Sequence, residues 1–103
     1  MDIYARFLFE KSVFEHIEEG FLNAKQLCEL MKEALNKSFG DGLDKNWIHP
    51  YRWITKVHYY IPDIAYYNFP YTFGALFSRG LYAKFKKEGT SFIPKYEKLL
   101  AAT

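Results

Sequence analysis

The sequence predicts an all-α fold, a bundle of about four to five helices with a short irregular or extended Tyr-rich segment around residues 55–64. Three observations lead there. Apolar residues recur at helical spacing in four stretches, and glycines stand where stretches of this kind stop. The remaining region, from Trp47 to Pro62, loses the rhythm and sets two prolines around a β-branched and aromatic run.

The first stretch, "MDIYARFLFEKSVFEHIEEG", places Ile3, Phe7, Phe14 and Ile17 on one helical face with Glu10, Glu15, Glu18 and Glu19 interleaved, and Gly20 ends it. In the second, Asn23 is an N-cap, and Leu27, Leu30, Met31, Ala34 and Leu35 follow at helical spacing until Gly40. "GDGLDKN" lacks the spaced ligands and closing Glu of a calcium loop, so Asp41 and Asp44 read as turn and cap residues. "WIHPYRWITKVHYYIP" reads as a short helical turn followed by an extended segment. "YNFPYTFGALFSRGLYAKFKKEG" resumes a helix with Phe73, Phe77, Leu81 and Phe85 in four-residue steps, ended by Gly89. Pro70 fits its first turn if Asn68 is the N-cap; otherwise it kinks a helix begun near Ala65. A last helix in "TSFIPKYEKLLAAT" is opened by Thr90 or Ser91. Met1 enters a helical pattern with no cap before it, and "LLAAT" closes without a terminator. The expectation is therefore a single helical fragment, 1–103, of a larger domain.

Composition narrows the function classes. The chain is 50% hydrophobic and 25% charged, as folded domains are, but nine Tyr and ten Phe in 103 residues are many. Residues 1–45 hold nine acids and six bases, and residues 46–103 three acids and eight bases; neither half is basic enough for a dedicated nucleic-acid binder. Lys84, Lys86 and Lys87 cluster at a helix end instead of interleaving with the tyrosines, which argues against single-stranded nucleic acid. No apolar run has the length of a membrane span, and no signal peptide opens the chain. The lone cysteine, Cys28, lies in an apolar helical pattern, which fits a small buried side chain in a cytoplasmic protein.

The chemistry-bearing residues converge on "HYYIPDIAYYNFPY". His16, His49 and His58 are isolated from one another, so no zinc-binding pair is present. His16 reads as solvated and His49 as structural. His58 stands beside Tyr59 and Tyr60 and ahead of Tyr66, Tyr67 and Tyr71, a set of neutral hydrogen-bond donors of the kind that stabilises a developing oxyanion. Tyr67 and Tyr71 share a face if that segment is helical. The alternative makes the five tyrosines amphipathic core plugs whose hydroxyls reach solvent.

The order of "IYARFLFE", "LCELM", "FGDGLD", "HPY", "HYY", "YNFPY" and "GLYA" along the chain resembles the C-terminal region of the oligoendopeptidase F branch of the thimet-oligopeptidase-like zinc metallopeptidases. The resemblance runs over essentially the whole length, with Ser78 and Arg79 departing from it just before Gly80. It implies a mostly helical catalytic domain whose HExxH helix and third, glutamate ligand lie N-terminal to this chain. Zn2+ would thus belong to the intact enzyme, with none bound by this chain itself. The family's histidine and Tyr-x-x-x-Tyr pair match His58, Tyr67 and Tyr71. Relatives hold the pair nearer the histidine, which keeps Tyr66 and Tyr60 open for one of its roles.

By this resemblance Tyr71 and His58 donate to the oxyanion, Tyr67 orients the peptide, and Tyr66, Tyr60 and Tyr59 contribute to substrate binding. Phe69 is assigned to core packing. The implied partners are short peptide substrates and the remainder of the catalytic domain, with self-association of the fragment through the Phe73–Phe85 stripe and helix one. A stand-alone helical peptide- or protein-interaction module is the alternative reading.

Overall fold

Asn23 begins the best-marked element. Its side-chain oxygen accepts from the backbone N–H of Gln26 at 3.1 Å, while the Gln26 side chain accepts from the backbone N–H of Asn23 at 3.0 Å, a reciprocal capping box. In the computed structural model, which describes residues 2–102, the helix so started runs over Ala24–Phe39 (α2) and closes at Gly40, whose φ of 60° suits a residue without Cβ. Asn23→Ala is expected to lower stability by about 0.5–2 kcal/mol, read as a fall in the urea midpoint at unchanged slope.

The other α-helices are α1 (Asp2–Ile17), α3 (Phe69–Glu88) and α4 (Ile93–Leu100), joined by 3-10 turns at Lys45–Trp47, Arg52–Thr55, Val57–Tyr60 and Gly89–Phe92. The described residues are mostly helical and contain no strand, in keeping with the all-α expectation. No described helix is long and apolar enough to cross a membrane. The chain divides into two compact units, one ending at Phe69 and one starting at Pro70.

In the first unit α1 packs on α2. Ala5 and Phe9 of α1 meet Met31, Ala34 and Leu35 of α2, and Leu8, Val13, Leu27, Trp53 and Tyr59 close around them. Cys28 is buried and free. The expected apolar face of α1 is therefore not the buried one: Phe7, Phe14 and Ile17 stay partly exposed while Ala5 and Phe9 enter the core. Aromatic residues occur on several sides of α1, so periodicity alone does not select a face. Asp2 holds the start of α1 to the Arg52 turn, accepting from Arg52 at 2.6 Å and pairing with Arg6. Asp44 caps the first 3-10 turn by accepting from the backbone of Asn46 at 2.9 Å.

The Tyr-rich segment differs from the turn-then-strand expectation. Two consecutive 3-10 turns occupy it, separated by the extended residue Lys56 and followed by the extended residue Ile61. Local turn hydrogen bonds, not strand pairing, serve this stretch: the Ile54 N–H donates to the Tyr51 carbonyl at 3.0 Å and the Tyr59 N–H to the Lys56 carbonyl at 3.1 Å. α3 starts at Phe69 with Pro70 in its first turn, where the missing N–H loses nothing. Asn68 precedes it and is buried, but its side-chain oxygen accepts no hydrogen bond and so provides no cap.

In the second unit Gly89, at φ 66°, ends α3. Thr90 and Ser91 lie in the 3-10 turn that follows, and the last helix opens at Ile93 with Pro94 in its first turn, later than the sequence suggests. Phe92 is the single buried side chain among the unit's described residues; Glu88 and Lys95 pair at 2.5 Å. No residue of α3 is buried: Phe73 is 65% exposed, and it stacks on Phe77 with centroids 5.8 Å apart. Phe69, expected in the core, is 71% exposed.

Candidate functional site

His58 lies in the Val57–Tyr60 turn, half-buried. Its imidazole stacks on the Tyr67 ring with centroids 5.0 Å apart and planes 18° from parallel. Stacking holds an imidazole by its faces, so the two ring nitrogens, which lie in its plane, are what it presents to hydrogen-bonding partners. Tyr67 occupies the turn just before α3, so the condition for sharing a helical face with Tyr71 is not met. Tyr71 belongs to the first turns of α3, in the second unit, and is exposed.

The other three tyrosines are tied to the first unit in different ways. Tyr59 packs on Phe9 with centroids 5.3 Å apart, and its hydroxyl donates to the Arg6 carbonyl at 3.3 Å. Burial pushes its phenol well above the ordinary tyrosine range, and the charge of Glu10 adds to the shift. Tyr60 is exposed, with its hydroxyl 3.5 Å from the Trp53 carbonyl, at the outer limit of a hydrogen bond. Burial raises its phenol too. Tyr66 is gripped by α1: its ring lies 5.6 Å from that of Phe7 and 5.5 Å from that of Phe14, and its backbone N–H donates to Glu10 Oε1 at 2.6 Å.

Tyr66 has φ 55° and Asp63 φ 64°, both in the left-handed region that side chains with Cβ rarely adopt. Such backbone persists where its surroundings over-determine it, and here Phe7, Glu10 and Phe14 do so for Tyr66. Glu10 is the residue that sequence reasoning missed. The helical pattern makes it one of four interleaved acids with no role of its own, yet it is 7% exposed. The available signal was its register: three residues after Phe7 and four before Phe14, it sits inside the apolar stripe and not beside it.

His16 is exposed, with Nδ1 2.7 Å from the Ser12 carbonyl, and His49 meets Tyr51 edge to face at 6.3 Å. Among the described residues, no three or more His, Cys, Asp or Glu side chains come together in an arrangement that could hold a metal ion. Searches of protein-family models, curated protein sequences and solved structures each return no match to this chain.

Proposed function

We propose that this chain is the C-terminal part of a zinc-dependent metalloendopeptidase that hydrolyses short peptides in the cytoplasm, supplying the wall of the cleft opposite the metal. The observation that carries the reading is the stacked pair His58–Tyr67, which joins the histidine to the first tyrosine of the motif on which the resemblance rests. In this reading His58 donates an N–H to the oxygen that gains charge as the peptide carbonyl is attacked, and Tyr67 fixes the imidazole plane and orients the peptide. Tyr71 takes the role of second donor, and Tyr66, Tyr60 and Tyr59 support the substrate side. In this reading the metal belongs to the remainder of the catalytic domain, because the resemblance sets the HExxH helix and the glutamate ligand N-terminal to this chain. Two further features support the reading. The aromatic face of α3, from Phe73 to Phe85, is the kind of surface a larger domain covers, and buried, unpaired Cys28 suits a reducing compartment.

The same exposed face on α3 would serve a stand-alone interaction module, and one experiment separates the two. The reading frame upstream of the Met1 codon is sequenced, and the polypeptide it encodes is assayed on an internally quenched peptide. An HExxH motif upstream, chelator-sensitive cleavage by the longer protein and none by residues 1–103 alone are expected. A longer protein without HExxH, or chelator-sensitive cleavage by residues 1–103 themselves, overturns the proposal.

A further inference from the structure

A cavity of about 360 Å³ lies between α1 and the loop that follows the Val57–Tyr60 turn. This volume falls at the small end of the range of about 300–1,000 Å³ typical of ligand pockets. Phe14, Ile61, Ile64 and Tyr59 form much of its wall, and its two ionisable carboxyl groups are those of Glu10 and Asp63. No Lys, Arg or His lines it. The cavity is thus apolar along its length and acidic in its charge.

Glu10 makes this more than an apolar dent. One of its oxygens, Oε1, is taken by the Tyr66 N–H at 2.6 Å, while Oε2 is buried and has no hydrogen-bond partner. A carboxylate oxygen removed from water without a donor is destabilising, and a ligand that brings a donor, above all a charged one, relieves that. Glu10 lines the cavity, so a donor held there meets its carboxylate while Oε1 keeps the Tyr66 N–H.

We propose that this cavity is a binding subsite for a primary alkylammonium group on an apolar stem, the chemistry shared by a lysine side chain and a free aliphatic amine. The stem lies along Phe14, Ile61 and Ile64, the ammonium reaches Glu10, and Asp63, exposed at φ 64°, adds negative charge. Ammonium is selected over guanidinium because a guanidinium binds best to two carboxylate oxygens at once, and one of the two on Glu10 is already committed to Tyr66. The site stands on this geometry, whether or not the chain belongs to a peptidase.

The test titrates the full chain with n-hexylammonium, n-hexanol and n-hexylguanidinium, and with N-acetyl-lysine, N-acetyl-norleucine and N-acetyl-arginine methylamides. Amide shifts of Ile64, Ala65 and Tyr66 are followed by heteronuclear NMR. A charge-assisted hydrogen bond predicts hexylammonium binding about 10- to 100-fold more tightly than hexanol, and the lysine derivative more tightly than the norleucine or arginine ones. Tighter binding of the lysine derivative than of hexylammonium assigns the site to peptides, and the reverse order assigns it to free amines. Glu10→Gln, which keeps an acceptor for Tyr66, is expected to erase the preference for ammonium over alcohol. Equal midpoints for hexanol and hexylammonium on the unaltered chain overturn the proposal even if the variant fails to fold, as does the absence of shifts at these amides up to about 0.1 M ligand.

Discussion

Tyr71→Phe, made in the longer zinc-bearing polypeptide proposed above, is expected to lower kcat by about 10²–10³ with KM nearly unchanged, because a donor that engages only the developing oxyanion is felt only in the transition state. His58→Ala weakens the same step. Tyr67→Phe costs less, since its ring still stacks on His58 once the hydroxyl is removed. Tyr96, on α4, is the control and stays close to the unaltered enzyme. Steady-state kinetics on a short quenched peptide, with zinc content and folding checked for each variant, decide the matter. An active Tyr71→Phe enzyme beside a crippled Tyr66→Phe or Tyr60→Phe one reassigns the donor to that tyrosine. Full activity in all of them leaves the tyrosines as packing residues.

The largest effect on stability is expected at Phe9. It is 4% exposed, lies at the centre of the α1–α2 contact and carries the Tyr59 ring at 5.3 Å. Truncating a buried Phe to Ala typically costs about 3–5 kcal/mol, against a total of about 5–15 kcal/mol for a whole domain. Phe9→Ala is therefore expected to lower the melting temperature by more than about 10 °C or to abolish the cooperative transition. Phe21→Ser, at a position 90% exposed, should stay within about 0.5 kcal/mol of the unaltered chain. Similar melting of Phe9→Ala and the unaltered chain in a calorimetric scan would refute this account of the core.

Much of the helical framework is legible in the sequence where local chemistry decides it. α2 is bounded by Asn23 and Gly40, both of which act through backbone groups a few residues away, and Pro70 and Gly89 mark the ends of α3 equally locally. The buried face of α1 is not legible, because Phe7, Phe9 and Phe14 are chemically equivalent until α2 and Tyr59 choose Phe9. The 3-10 turns from Arg52 to Tyr60 are hidden for a related reason: β-branched and aromatic residues favour extended backbone, and contacts with α1 override that preference. Of the candidate site, the residue types are visible in the sequence, but the stacking of His58 on Tyr67 is set by an irregular loop with no period to read. Glu10 is legible by its register between Phe7 and Phe14, but its partner is not, because the Tyr66 N–H reaches it from 56 residues downstream.

That separation also sets an order of assembly during synthesis. The α1–α2 pair can associate once the chain has been made as far as Phe39, because its contacts join elements adjacent in the sequence. The clasp on α1 comes later: Arg52 reaches Asp2, Tyr59 reaches Arg6 and Tyr66 reaches Glu10 across 50, 53 and 56 residues. At about 5–20 residues per second, the ribosome leaves the Phe7–Glu10–Phe14 face uncovered for seconds after the helix that bears it exists. In that interval the nascent chain displays two aromatic rings around a carboxylate, a surface that Tyr66 covers only in part when the tyrosine loop emerges, since Phe7 and Phe14 stay partly exposed in the folded chain.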